Sequence, residues 1–402
     1  MACRAICNQQ INAVIPNEGI DSKYVYYYAR TLRHWMEANA SETTITILNK
    51  GRFEKAPIEL PPLAEQRRIV AKVEELLARV NVARERLAKV PSLLKRFRQS
   101  VLAAACSGQL TEDWREENVG NDTGRDLVTS LRGQPPENCE LSYSIPDQWT
   151  VVACRALCDE KRALTYGVIK LGPPVENGVP VLRSSDVRSL LIDERGIKRI
   201  GRGIADQFKR TYLEGGEVVV TVRGTLGGVA VVPDRMKGYN ISREVAVIPF
   251  DSRLNRRFFA LAIASLPSQN WLTGVEKGVA YTGVNIEDLK CLPLPVPPLA
   301  EQREIVRRVD ALFALADKIE ARATSATARV EKITQAILAK AFRGELVPTE
   351  AELARQEGRS YESASALLER IRAEREALEP LDGERRKSKQ GRNAKRKSRG
   401  EP

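Results

Sequence analysis

The sequence is poor in the residues from which most catalytic sites are built. It contains a single histidine, His34, so every Ser/His/Asp or Cys/His arrangement would depend on that one residue. It has no GxxxxGK[ST] loop, no plausible GxGxxG after a strand and no Asp/Asn-Pro-Pro-aromatic tetrapeptide. These absences argue against catalysis in this chain, so we expect no catalytic residue and interpret His34 as structural.

Long apolar runs are also missing. None reaches the roughly 18 residues of a membrane span, and the opening MACRAICNQQ lacks the apolar core of a signal peptide. The seven cysteines are odd in number, which indicates reduced thiols. Cys3 with Cys7 and Cys154 with Cys158 would need distant partners to bind zinc, so we expect buried thiols and no metal site. The chain reads as a cytoplasmic protein without membrane contact.

Positive charge is concentrated in two places. The net charge of +12 is made up of +7 in residues 383–402 and +5 in residues 141–296, while the rest is neutral. A basic middle region and tail indicate nucleic acid as the partner. The tail lacks large apolar residues and is predicted to be disordered, either as a solubilising segment or as a sequence-independent grip on phosphates.

An internal duplication is the most prominent pattern. Residues 61–110 return at 297–346 with a constant offset of 236, and 19 of the 50 positions are identical. Apolar residues alternate at steps of four and three in both copies, which is a heptad pattern and predicts two long helices. The first copy has Ile69, Val73, Leu76, Val80, Ala83, Leu87, Val90, Leu94, Phe97 and Val101 at these positions. The second has Ile305, Val309, Leu312, Ala316, Ile319, Ala323, Ala326, Val330, Ile333 and Ile337.

Only another helix can cover such a stripe, and the obvious partner of each copy is the other copy. A plain coiled-coil scaffold and a homodimeric zipper remain open on pattern alone. Pro91 predicts a kink or a break in the first helix, whereas the equivalent Thr327 predicts none.

The duplication extends upstream of the helices. NAVIP at 12–16 echoes VAVIP at 245–249, the apolar helix at 24–32 matches 256–264, and Asn49 aligns with Asn285.

The fold class predicted is α+β, with a mixed α/β domain and two long helices. The segments are 1–60 (the end of a first domain), 61–110 (first long helix), 111–140 (linker), 141–296 (complete domain), 297–346 (second long helix) and 347–402 (helical, then basic tail). A domain cut in this way is expected to expose part of its core or to be completed by something else.

Within residues 141–296, short β-branched runs predict strands at 179, 217, 229 and 245. GGEVVVTVRGTLGGVAVVP predicts a tight antiparallel hairpin. Helices are expected near 205–210, 255–266 and 286–290.

One short pattern could indicate an autonomous Mg²⁺-dependent nuclease. Asp147, Asp159 and Lys161 match a loose Asp, then Asp-x-Lys arrangement that can hold a metal ion. Such patterns arise by chance in charged chains, so we interpret IPDQW instead as the opening turn of a domain with Trp149 as its first core anchor.

The remaining chemistry is that of binding DNA. Arg, Lys, Asn and Gln read base edges on elements that phosphate contacts hold in place. The polar and basic residues that lie near predicted strand ends and the glycine hairpin form the candidate set. They are Arg183, Ser185, Arg188, Lys198, Arg199, Arg202, Lys209, Arg210, Arg223, Thr225 and Arg243.

Together the duplicated PPLAEQR[RE]IV, the later SGQL and RGEL, IPDQW and TVRGTLGGVAVVP resemble the specificity subunit of type I restriction-modification systems. The resemblance implies two target recognition domains and two conserved helices that pack as an antiparallel coiled coil and act as a ruler on double-stranded DNA. It implies modification and restriction subunits as partners, which bind S-adenosylmethionine, ATP and Mg²⁺, so no cofactor is expected in this chain.

Two departures stand out: most of the DNA-facing part of the first domain is absent, and Glu217 replaces a more usual Asp. A DNA-binding coiled-coil scaffold unrelated to restriction remains the alternative.

Overall fold

A computed structural model describes residues 11–40, 48–118, 120, 122–135, 137, 139–274 and 283–377. The basic tail at 383–402 lies outside these residues, as do Cys3 and Cys7. Twelve helices are bounded within the described ranges, and residues 364–377 are helical as well. The helices are α1 Ser22–Ala29, α2 Arg33–Asn39, α3 Lys50–Phe53, α4 Leu63–Ser107, α5 Glu112–Glu117, α6 Gly124–Arg132, α7 Arg202–Ala205, α8 Arg256–Ala264, α9 Leu266–Gly274, α10 Ile286–Lys290, α11 Leu299–Phe342 and α12 Glu350–Glu357.

The strands all lie in the middle of the chain. They are β1 Thr150–Ala153, β2 Thr165–Tyr166, β3 Val179–Leu182, β4 Val187–Arg188, β5 Leu191–Ile192, β6 Lys198–Ile200, β7 Val218–Thr221, β8 Val229–Val231, β9 Asn240–Ile241, β10 Val245–Ile248 and β11 Pro293–Val296. The mixed α+β class is therefore confirmed. None of the described helices has the length and apolar character that crossing a membrane requires.

The chain divides into two compact units. The first comprises Met1–Lys89 and Arg322–Pro402, and the second comprises Val90–Ala321. Each unit contains a stretch of α4 and a stretch of α11, and we refer to them as the terminal unit and the central unit. The six segment boundaries derived from the sequence stay predictions.

The two long helices pack on each other antiparallel, as predicted. In the terminal unit, Arg84 of α4 donates hydrogen bonds to Glu331 (3.1 Å) and Thr334 (3.2 Å) of α11. Earlier residues of α4, such as Val73, share an apolar cluster with later residues of α11, such as Ala341. The central unit has the same order: Arg98 bonds Asp317 (2.7 Å) and Glu320 (2.9 Å), and the following turns of α4 pack with the start of α11.

The predicted apolar stripe is only partly buried. Seven of its members lie in the interior, namely Ile69, Val73, Leu94, Val101, Ile305, Val309 and Ala316. Phe97, Ile319 and Ile333 are exposed, and Thr334 is buried in place of Ile333. The Thr334 hydroxyl donates to the Val330 carbonyl, so its burial leaves no unsatisfied polar group. Two helices alone cover one side of each stripe and leave the other side open.

Pro91 does not break α4, so of the predicted kink or break the break was wrong, and the kink stays a prediction. The helix runs without interruption from Leu63 to Ser107 with Pro91 inside it. A proline in a helix interior costs about 3 kcal/mol. The apolar side chains that the helix buries before and after this position, such as Val73 and Val101, outweigh that cost because each contributes about 1.5–3 kcal/mol.

The central unit contains the one described set of sheets. A four-stranded antiparallel sheet has the order β2-β10-β7-β8, and a three-stranded sheet has the order β6-β3-β9 with a parallel β3/β9 pair. The strands predicted at 179, 217, 229 and 245 are confirmed as β3, β7, β8 and β10. The β7–β8 hairpin is confirmed too, although its connection spans 222–228 and is not tight.

The β1–β11 pair was missed by the sequence analysis. Its prolines are typical of a linker, yet Pro293–Val296 forms a strand antiparallel to Thr150–Ala153. Proline is tolerated because each strand of a two-stranded sheet has one edge without ladder hydrogen bonds. Trp149, just before β1, is buried edge-to-face against Phe258, which confirms its role as a core anchor.

The duplicated sequences form the same side-chain contacts in both units. Gln66 and Gln302, three residues after the start of α4 and α11, are fully buried. Each side-chain oxygen accepts the N–H of a helix N-cap residue, Asp21 before α1 (2.9 Å) and Asn255 before α8 (3.1 Å). Each side-chain amide donates to the carbonyl of the first proline of PPLAEQ (2.8 and 2.9 Å). The same glutamine therefore ties an apolar helix to a long helix twice.

Two further pairs follow the duplication. Lys23 of α1 binds Glu74 of α4, and Arg257 of α8 binds Asp310 of α11 (2.8 and 3.0 Å). The aligned asparagines both cap short helices: Asn49 accepts from the N–H of Arg52, and Asn285 from that of Asp288. The helix caps and ion pairs of the described residues 11–40 and 48–60 thus match those at the end of the central domain.

Candidate nucleic-acid interface

Several of the predicted residues meet at one end of the β7–β8 hairpin. The Ser184 hydroxyl donates to Glu244 (2.8 Å), whose backbone carbonyl accepts the N–H of Val222 (2.9 Å). Ser242 pairs with Val168 next to β2. The loops after β3, β7 and β9 therefore converge with the end of β2. We call this surface, which carries Ser185, Arg223, Thr225 and Arg243, the hairpin surface.

Gly224 allows the loops to approach closely. Its backbone has φ +74°, in the left-handed region, and a Cβ at this position would lie 3.1 Å from the Ser184 Oγ. Residues with side chains rarely adopt this conformation. The glycine thus lets the 222–228 loop pack against the loop that follows β3.

Arg223 lies over an aromatic ring that the sequence analysis did not single out. Its guanidinium carbon is 5.8 Å from the ring centroid of Tyr166, which is partly exposed. Stacking of this kind fixes the direction of the guanidinium group. The available signal was the glycine of the TYG sequence. A Cβ on Gly167 would lie 1.8 Å from the Ile241 carbonyl oxygen, and this close approach brings the neighbouring Tyr166 to this surface.

Arg183 and Ser185 are engaged within the protein. The guanidinium of Arg183 makes a two-pronged contact with the buried Asp186 (2.9 and 3.1 Å). The Ser185 hydroxyl donates to the same carboxylate (2.9 Å). In the structure these contacts shape the loop after β3. Their contact with DNA stays a prediction.

Arg188 is exposed on β4, beside the acidic turn that follows β5. A hydrogen bond from the Arg195 guanidinium lowers the pKa of Asp193 to about 2, and the charge of Arg188 adds to this effect. Asp193 is therefore ionised at neutral pH and partly offsets the charge of Arg188.

The other predicted residues form a second group, away from the hairpin surface. Lys198 and Arg199 lie on β6, the edge strand of the three-stranded sheet, and Arg199 donates to the Gly178 carbonyl (3.1 Å). Arg202 begins α7, and Lys209 and Arg210 lie in the 3-10 helix after it. All five are exposed. Within the described ranges, Lys198, Arg202, Lys209 and Arg210 form no ion pair, so their charge faces solvent.

Asp159 was considered above for metal binding and His34 for nucleophilic catalysis. Asp159 accepts the backbone N–H of Lys161 (2.8 Å) and so closes a turn. Among the described residues, no three His, Cys, Asp or Glu side chains are grouped to hold a metal ion. His34 was expected to be structural, but its side chain is 98% exposed on α2 beside Glu37, so it stabilises no core.

The thiols follow the prediction in part. Cys106, Cys154 and Cys158 are buried, and burial raises the pKa of Cys106 to about 12. The Sγ of Cys158 donates to the Cys154 carbonyl at 3.4 Å. Cys291 is exposed, contrary to the expectation of buried thiols.

Comparison with known proteins gives one consistent family. A family model described as "Type I restriction modification DNA specificity domain" matches residues 3–92 and 149–327. The chain is 35% identical over 375 residues to the type I restriction enzyme EcoBI specificity subunit of Escherichia coli, covering 93% of this chain and 76% of that protein. It is 31% identical over 370 residues to the EcoDI specificity subunit of Escherichia coli, covering 92% of this chain and 80% of that protein.

A solved structure shares the fold. It is described as showing complex assembly and conformational transition of the type I R-M system. It matches with a TM-score of 0.57 at 20% sequence identity, over 82% of this chain and 73% of that chain. The fold of the present structure thus has a counterpart among solved proteins.

Proposed function

Because the chain belongs to the family of type I restriction-modification DNA specificity subunits, we propose that residues 141–296 are a target recognition domain that reads one part of a split sequence in double-stranded DNA. The chain is a recognition subunit rather than an enzyme. Family membership supports this reading over the coiled-coil scaffold and the autonomous nuclease. In the same proposal, residues 1–60 are the end of the first recognition domain.

The observation that carries the proposal is the convergence of three loops and a β-strand end on the hairpin surface. Arg223, Thr225 and Arg243 lie there in loops that connect the strands of a mostly buried sheet. Side chains that read bases need such support, because a bidentate contact tolerates little displacement. The exposed second group, from Lys198 to Arg210, would bind phosphates and position the domain.

Partner subunits would supply the chemistry. We propose that modification subunits and restriction subunits bind this chain and carry S-adenosylmethionine, ATP and Mg²⁺, and that the complex acts in the cytoplasm. The exposed apolar residues of the long helices, among them Phe97, Ile319 and Ile333, offer a surface for the modification subunits. The long helices would then set the spacing between the two parts of the DNA sequence.

Methylome sequencing tests the main proposal. A host that carries this chain with its modification subunit is expected to methylate one split sequence motif, and a host with the modification subunit alone is not. Inserting one heptad, about 10 Å, into both long helices is expected to lengthen the spacer of the motif by about three base pairs. Methylation without the chain would contradict the assignment.

Two variants separate base reading from phosphate binding. Arg223→Ala is expected to reduce the preference for the motif over random DNA by about tenfold or more, which corresponds to about 1–3 kcal/mol. Lys209→Ala is expected to weaken binding to all DNA alike and to lower the salt slope by about one. Lys237→Ala is the control, since this exposed lysine follows β8 at the other end of the hairpin. Equal effects of Arg223→Ala on all DNA would exclude a base contact.

A further inference from the structure

The segment 166–169, at the end of β2, carries two exposed apolar side chains. Tyr166 is 37% exposed and Ile169 is 53% exposed, whereas Val168 between them is buried. Isolated exposed apolar side chains are common on protein surfaces. These two are distinguished by their position, because the segment lies at the hairpin surface beside two arginines.

Backbone hydrogen bonds attach this segment to the loop after β9. Val168 donates its N–H to the Ile241 carbonyl (2.8 Å), and the Val168 carbonyl accepts the N–H of Arg243 (2.9 Å). These bonds accompany the parallel pairing of Val168 with Ser242. Ile169 therefore directly follows a residue that is bonded to the backbone of Arg243, and its own backbone is held against the sheet.

Arg223 packs against the same segment. Its guanidinium lies over the Tyr166 ring, with 5.8 Å between the guanidinium carbon and the ring centroid. Its aliphatic stem lies next to Gly283, where a Cβ would be 2.8 Å from the Arg223 Cγ and 2.9 Å from the Val222 carbonyl oxygen. Position 283 therefore leaves no room for a side chain. The direction of the guanidinium is set by an aromatic ring and by a closely approaching backbone.

The chemistry of this surface matches one edge of the base pairs. A guanidinium donates paired hydrogen bonds to O6 and N7 of guanine, and an apolar side chain contacts the C5 methyl group of thymine. Both features are displayed in the major groove of B-DNA, and the minor groove displays neither. An exposed isoleucine beside arginines favours base contact over phosphate contact, because a phosphate offers no apolar surface to an isoleucine.

We propose that residues 141–296 read a guanine and a thymine through the major groove, within their part of the split DNA sequence. Arg223 binds the guanine, and Ile169 contacts the thymine methyl group. Tyr166 is a positioning residue that holds the direction of the Arg223 guanidinium. This inference rests on the proposed function, since it requires that the domain bind duplex DNA, and it adds which bases are read and by which side chains.

Base analogues test both contacts on the full chain purified with its modification subunit. Selection of bound duplexes from a randomised pool first defines the preferred sequence. Each guanine of that sequence is then replaced in turn by 7-deazaguanine, which lacks N7, and one replacement is expected to weaken binding about fivefold or more. Each thymine is replaced in turn by uracil, which lacks only the methyl group, and one replacement is expected to weaken binding about fourfold.

Substitutions assign each effect to a side chain. The 7-deazaguanine effect should disappear in Arg223→Ala, and the uracil effect should disappear in Ile169→Ala. Tyr166→Phe keeps the ring and should retain the 7-deazaguanine effect, whereas Tyr166→Ala should reduce it. Val175→Ala is the matched control, because it shortens another exposed β-branched side chain, one whose N–H is bonded to β6, and it should retain both effects.

The outcomes separate this inference from the proposed function. Absence of any preferred sequence would contradict the proposed function and the inference with it. A preferred sequence that tolerates 7-deazaguanine or uracil at every position would overturn the inference alone, since a contact in the minor groove or with phosphates is insensitive to both analogues. A 7-deazaguanine effect that persists in Arg223→Ala, or a uracil effect that persists in Ile169→Ala, would overturn it as well.

Discussion

At the scale of the residue, Glu301 is a buried carboxylate that connects three segments of the central unit. It is 1% exposed, and it accepts hydrogen bonds from Trp149 Nε1 (2.7 Å), the Thr111 hydroxyl (2.7 Å) and Arg115 (2.5 Å). Both oxygens of the carboxylate are therefore hydrogen-bonded within the protein. It joins the segment after α4, the start of the domain and the start of α11.

We expect Glu301→Gln to lower the free energy of unfolding by about 2–3 kcal/mol, because the amide presents a donor to other donors and leaves Arg115 without its anion. Urea unfolding followed by tryptophan fluorescence measures this loss. Glu287→Gln is the control, since Glu287 is exposed and pairs with Lys290, and it should change the value by less than about 0.5 kcal/mol. Equal effects of the two substitutions would contradict the role of Glu301.

Glu304, one turn beyond Glu301, makes stability depend on pH. The guanidinium of Arg307, and then that of Arg308, lowers its pKa to about 2. Because this pKa is below the unfolded value of about 4.3, the stabilisation is present above that value and is lost as the pH falls towards 2. The difference in melting temperature between the native chain and Glu304→Gln should be largest above pH 5 and vanish near pH 2. A difference that is constant with pH would exclude this ion pair as its cause.

At the scale of the element, Pro91 in α4 is a local cost that the fold tolerates. Pro91→Ala restores a backbone N–H at an exposed position and removes a clash with the preceding turn. We expect it to stabilise the helix by about 1–3 kcal/mol, measured by thermal unfolding. Thr327→Ala, at the repeat-equivalent position of α11, should change stability by only a few tenths of a kcal/mol. Destabilisation by Pro91→Ala would show that a bend at this position is required.

Elements with strong periodic signals were predictable from the sequence. The heptad pattern located both long helices, and β-branched runs located β3, β7, β8 and β10. The β1–β11 pair was not predictable, because its prolines resemble a linker unless the partner strand is known. The site was predictable only as a set of residue types. That Arg183 binds Asp186 and that Arg223 stacks on Tyr166 depends on loops brought together by the sheet.

At the scale of the whole molecule, net positive charge and exposed apolar surface are largely separate. The net positive charge lies in 141–296 and in the tail, whereas most of the exposed large apolar side chains of the described residues lie on the long helices and in the terminal unit. Polyanions and protein partners would therefore engage different parts of the chain.

The tail provides a test of this division. Deleting residues 383–402 removes nine Lys and Arg and two Glu. We expect the deletion to reduce solubility and to leave the salt slope of DNA binding unchanged, because the recognition domain carries its own basic surface. Filter binding at several salt concentrations measures the slope. A flatter slope would assign phosphate contacts to the tail.

The paired glutamines have a consequence for how such chains diversify. Gln66 and Gln302 make the same hydrogen bonds in the two units. An acidic residue on each long helix also forms an ion pair with the neighbouring apolar helix, with a lysine in one unit and an arginine in the other. If recombination moved the gene segment that encodes one recognition domain to the position of the other, the moved domain could form the same contacts with the long helix there. Chains that recognise new combinations of DNA sequences could then arise by exchange of whole domains, without further substitutions at the contacts that hold the domains.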